Sequence, residues 1–135
     1  MTLLYVGNEP LDVAKHLAAV SSTTMGAVVT FIGQVRDHDP AVDGAVAGIE
    51  YSAHPDAESV LAELVAALPT DVLVAVSHRV GHLAVGDLAL VACVAAAHRD
   101  AAYAVSRDLI ESIKRELPIW KRQLQTDGTA SWVGL

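Results

Sequence analysis

The 135-residue sequence predicts an α+β fold, mostly antiparallel and with about three helices, on three observations. Two segments, near residues 55–68 and 100–116, repeat apolar residues at helical spacing. Several β-branched runs are joined by short glycine-containing connections that suit hairpins. These strands and helices follow the order β-α-β-β-α-β-β-α-β-β, which lacks the regular alternation of a parallel α/β sheet.

Taken in order, Leu3 to Val6 reads as a short strand, and Asn8 followed by Pro10 reads as the cap and first turn of a helix to about Val20. Gly26 to Arg36 is β-branched and partly alternating, so a long strand is expected there, ending in the polar, exposed loop Asp37 to Gly44. A strand from Ala45 to Tyr51 follows. In the helix from Pro55 to Leu68, the residues Ala57, Val60, Leu61, Leu64, Val65 and Leu68 share one buried face. Val72 to Val80 and Leu88 to Ala97 read as strands joined by GHLAVGD, with Gly81 and Gly86 in the connection. A helix from about Asp100 to Glu116 turns Ala102, Val105, Leu109 and Ile113 inward and stops at Pro118. A last hairpin pairs Ile119 to Gln123 with Ser131 to Val133 across Asp127-Gly128.

At 53% hydrophobic and 19% charged, the chain has enough apolar material for the core of one domain. The apolar run Leu88 to Ala97 is half of the roughly 20 residues a membrane-spanning helix requires, and no export signal is visible at the start, so a cytoplasmic protein is expected. A lone cysteine, Cys93, excludes an internal disulfide and a thiolate metal site of its own, and its apolar surroundings mark it as core. The net charge of -7 argues against nucleic acid as partner. Yet six of the nine basic residues fall between residues 98 and 122, against only Asp100, Asp108, Glu111 and Glu116. That segment is either a solvated helix face or part of an anion site.

Three segments could build such a site. Arg36 closes a strand beside the polar loop, where its planar fork suits a phosphate, although a strand-end ion pair would use it equally well. His98 and Arg99 stand where a helix begins, and a helix N-terminus offers free N–H groups to an anion. Lys114 and Lys121 are seven residues apart across Pro118, and the chain reversal at the proline allows both ammonium groups to reach one cleft. Mutual repulsion there would depress a lysine pKa and free an amine for proton transfer. The plainer alternative leaves Lys114 on a helix surface and Trp120 in the core. Convergence of all five side chains on one cleft is the sharper expectation. His78 and His82 are four apart but straddle a strand and a turn, which does not favour a shared metal.

Read together, GAVVTFIGQVRDH, IEYSAHPDA, SHRVGHLAVGD, AAAHRDAAYAV, IKRELPIWKR and a terminal SWV resemble the catalytic (large) subunit family of molybdopterin synthase, from about Gly26 to Val133. The resemblance implies an α/β-hammerhead-like fold. It also implies a homodimer within a heterotetramer, flanked by two copies of a small ubiquitin-like sulfur-carrier subunit whose C-terminal Gly-Gly is a thiocarboxylate. The implied reaction adds two sulfurs to cyclic pyranopterin monophosphate, giving the molybdopterin dithiolene, with no metal and no cofactor. By the same resemblance Arg36, His98 and Arg99 would hold the phosphate and pterin, Lys114 and Lys121 would be catalytic, and Phe31 would line the pocket. The chain departs from the family at His54 and Ala57, where an aromatic residue and a methionine are common. The alternative is a non-catalytic paralogue that binds the carrier or a phosphorylated pterin, against which the retained lysine pair argues. A purely structural dimerisation domain would leave Arg36, His98 and Arg99 without a shared purpose.

Overall fold

The computed structural model describes residues 3–39 and 44–133, so residues 40–43 of the loop expected at Asp37 to Gly44 lie outside the described residues. Eight strands and three helices form, in the order β1 (Leu3–Gly7), α1 (Val13–Ala19), β2 (Ala27–Gln34), β3 (Val46–Ala53), α2 (Ala57–Ala66), β4 (Leu73–Arg79), β5 (Gly81–Ala84), β6 (Leu88–Ala96), α3 (Arg99–Glu116), β7 (Ile119–Gln125) and β8 (Ala130–Val133). The strands divide into two four-stranded sheets, β1-β4-β6-β2 and β5-β3-β7-β8. Among the described residues, only the β1–β4 pair is parallel. The α+β class and the antiparallel bias therefore hold, while the strands form two sheets.

The first sheet carries the core. Along β6 eight of nine residues are buried, because α2 and α3 cover one face and α1 the other. The predicted inward residues of α3, Ala102, Val105, Leu109 and Ile113, are all buried, and Leu61 of α2 is fully so. Burying a leucine or isoleucine stabilises by about 1.5–3 kcal/mol, so these two helical faces hold the layers together. Cys93 is buried in β6 beside Thr30, as its apolar surroundings suggest.

Three local expectations are corrected. The first helix starts at Val13 and not near Asn8, because Asp12 is the cap: its carboxylate accepts from the Lys15 backbone N–H at 3.2 Å. The connection GHLAVGD contains β5, which leaves the first sheet and pairs antiparallel with β3. Four residues with only Leu83 buried give little periodic signal, and Gly81 and Gly86, at φ +93 and +92, supply the turns on either side. Trp120 does not fill the core; it stands 51% exposed on β7.

Candidate functional site

The second sheet pairs Tyr51 with Lys121 and Ile49 with Gln123 across β3 and β7, so these four side chains share one face. That face closes over the ends of β2, β4 and β6, forming a cleft of about 120 Å³. Gly33, His78, Ala89 and Leu90 line its other wall; Arg36, His38 and Asp39 enter from the loop after β2. Lys114 enters from the last turn of α3, which Leu117 ends in extended backbone before Pro118. Chain reversal at the proline thus brings Lys114 and Lys121 to one cleft, where they join Arg36.

The environment acts on both amines. Desolvation lowers the pKa of Lys114, the Lys121 charge lowers it further, and Glu111 opposes. Lys121 is also lowered, first by desolvation, with Asp39 opposing and Arg36 adding to the fall. A lysine with a depressed pKa offers more neutral amine near neutral pH, as proton transfer requires.

Neutral groups that sequence reasoning did not assign to the site complete the walls. His78 is 3% exposed, and burial pulls its pKa down to about 4. Its ring meets Tyr51 edge-on at 5.0 Å. Burial pushes the Tyr51 phenol up to about 12, which keeps it protonated. Gln123, 2% exposed, donates its amide to the Asp39 carboxylate. The only signal for these residues was a polar side chain within a strand, His78 in VAVSHR or Gln123 in WKRQLQ; strand pairing gives that signal its meaning.

His98 and Arg99 do not reach this cleft within one chain. Both are exposed where α3 begins. Arg99 and Lys114 lie fifteen residues apart on the same helix, about 22 Å at 1.5 Å per residue. The expected convergence therefore unites Arg36, Lys114 and Lys121 and leaves out the His-Arg pair. Phe31 lines a separate groove of about 520 Å³ between β2 and α3, with Val29, Tyr103 and Ile110. Of the two departures from the family pattern, Ala57 is core and His54 stands 3.7 Å from the Asp56 carboxylate. His78 and His82 sit on different strands, and among the described residues no group of three or more His, Cys, Asp or Glu side chains could hold a metal.

No helix among the described residues is long and apolar enough to cross a membrane. The profile of the family described as MoaE protein matches residues 6–116. Molybdopterin synthase catalytic subunit 1 of Mycobacterium tuberculosis is 40% identical over 133 residues, covering 94% of this chain and 87% of that protein. The crystal structure of molybdopterin synthase from Staphylococcus aureus superposes with a TM-score of 0.90 at 29% identity, covering 100% of this chain and 99% of the other. A complex of subunits 1 and 2 of molybdopterin-converting factor from Helicobacter pylori gives 0.73 at 20% identity over 98% of this chain and 88% of that one, a likeness of fold alone. By this extent of match the chain belongs to the MoaE family, the catalytic subunits of molybdopterin synthase, enzymes of molybdenum cofactor biosynthesis.

Proposed function

We propose that this chain transfers two sulfurs from the C-terminal Gly-Gly thiocarboxylate of a small carrier protein to cyclic pyranopterin monophosphate, in the cytoplasm. The observation that carries the reading is the meeting of Arg36, Lys114 and Lys121 in one cleft with both amines depressed in pKa. Arg36 suits the phosphate through its two parallel donors. In each round the carrier's sulfur attacks a side-chain carbon of the substrate and a C–O bond at that carbon breaks, its oxygen leaving with the opened cyclic phosphate in one round and as water in the other; water then cleaves the resulting thioester. The products are a carrier carboxylate and a sulfur retained on the pterin side chain. The lysines supply the proton transfers and stabilise the oxyanion of the thioester step. A donor protein answers the sulfur question, since Cys93 is buried.

A cleft of about 120 Å³ falls well below the roughly 300 Å³ at which pockets for whole small molecules begin. A second copy of the chain would complete it. β2 is an edge strand, with exposed Val28 and Ile32, and its Gln34 end borders the cleft while its Ala27 end pairs with Ala96 near His98. Antiparallel pairing of two such edges about a two-fold axis would set the His98 and Arg99 of one copy beside Arg36, Lys114 and Lys121 of the other. The five side chains then belong to one site drawn from two chains.

The test is direct: the chain is incubated with thiocarboxylated carrier and cyclic pyranopterin monophosphate, and the dithiolene product is assayed. Tight binding of both without product would favour a non-catalytic paralogue.

A further inference from the structure

Gln123 Oε1 is the one buried side-chain oxygen or nitrogen among the described residues without a hydrogen-bond partner. Its orientation is determined by its neighbour, because the Gln123 amide nitrogen donates to the Asp39 carboxylate. Turning the amide over would set two acceptors against each other, so the oxygen is the atom left free. Native proteins leave few such atoms, and one in the wall of a cleft points to a group that arrives with the ligand.

His78, on the facing wall, presents a second acceptor. Its Nδ1 lies 2.7 Å from the Arg79 carbonyl oxygen, which only accepts, so Nδ1 carries the proton and Nε2 keeps a bare lone pair. No described residue donates to that lone pair. The edge contact with Tyr51 holds the ring in place. Burial keeps the imidazole neutral through the physiological range, so it remains an acceptor beside the lysines.

We propose that Gln123 Oε1 and His78 Nε2 form an acceptor subsite that reads N–H donors on a ligand whose anionic group sits on Arg36, Lys114 and Lys121. The inference rests on the proposed function, and that reading provides two sources of such a ligand. One is the backbone amide of the carrier's Gly-Gly tail beside its terminal carboxylate or thiocarboxylate. The other is the ring amide and amino group of the pterin beside its phosphate. The three cations cannot tell these ligands from inorganic phosphate, whereas a pair of acceptors can, since a ligand without N–H leaves both unfilled.

The experiment is calorimetric titration of wild type, His78→Phe and Gln123→Met with four probes, and of wild type with a fifth, an N-methylated pterin monophosphate. The four are inorganic phosphate, a Gly-Gly-ended carrier peptide, the same peptide with its last amide replaced by an ester, and a pterin monophosphate. The phenylalanine keeps a ring against Tyr51, and the methionine nearly keeps the glutamine's length. Each variant is expected to bind one of the two N–H probes about five- to tenfold more weakly, with phosphate affinity unchanged within about twofold. The affected probe identifies the source. If it is the peptide, wild type also binds the ester form about five- to tenfold more weakly; if it is the pterin, an N-methylated pterin monophosphate shows the same loss. These comparisons of ligands need no variant to fold. Wild-type affinity of both variants for both N–H probes would mean that water alone fills these acceptors and would overturn the subsite. Equal weakening of phosphate would overturn it as well, assigning the two residues to the shape of the cleft. Failure of wild type to bind either N–H probe would sink the proposed function, and the subsite with it.

Discussion

Acidification should destabilise this fold through His78, and the size of the effect follows from its burial. The imidazole protonates near pH 6.5 when exposed in the unfolded chain, but only near 4 in the folded one. Below pH 6.5 the unfolded state therefore binds a proton that the folded state refuses, and stability is lost as the pH falls from 6.5 through 4. For these two values the linkage relation gives a loss of about 2 kcal/mol between pH 7 and pH 5. An unfolding entropy of about 2.1 cal/mol/K per residue over 135 residues makes this a fall of about 7 °C in Tm. Other groups titrate over the same range, so the assay is a difference. Wild type and His78→Phe are unfolded in urea at pH 7, 6 and 5, and stabilities are compared at each pH. The variant lacks the buried imidazole, and relative to wild type it should gain about 2 kcal/mol on going from pH 7 to pH 5. Parallel stability curves would refute the reasoning, since they would mean that His78 accepts its proton as readily folded as unfolded.

Lys121→Ala should lower turnover about 100-fold or more and weaken carrier binding far less, the pattern of a group whose main role is in the transition state; comparable losses in both would assign it to docking. Lys121→Gln removes a like charge that depresses Lys114, so the limb of the pH–rate profile that reports Lys114 should move to higher pH. Mixing Lys121→Ala chains with Arg99→Ala chains should restore activity from about a quarter of the sites, because half of the dimers are mixed and each holds one intact composite site; no recovery beyond the two inactive parents would place the residues in separate functions. Asp12→Ala removes the cap on α1 and should cost about 1 kcal/mol, or about 4 °C in Tm by differential scanning calorimetry, with sulfur transfer unaffected.

The helices were legible in the sequence because their buried faces repeat at the period of the backbone itself. Ala57 and Leu61 in α2, and Ala102, Val105, Leu109 and Ile113 in α3, announce which side is inside without reference to anything distant. β6 could be read from its unbroken apolar run for the same reason: a strand covered on both faces has no polar alternation to keep. β5 escaped because four residues carry no measurable period, and its place beside β3 depends on a partner more than thirty residues away.

Charge clustering and the proline at 118 allowed a shared cleft for Lys114 and Lys121, beside the plainer reading of a surface Lys114, since both readings depend on local chain geometry. Only the tertiary structure could separate Arg99 from them, because a straight helix of 18 residues holds its two ends apart by a fixed rise per residue however alike their charges look on paper. It also decided the neutral half of the cleft. Gln123 and His78 are ordinary strand residues until β7 and β4 turn them toward one space, where each keeps an acceptor without a protein partner among the described residues. Periodicity and residue chemistry are properties of the chain and travel with it; which side chains lose water together is settled by the pairing of distant strands, and that pairing exists only in the fold.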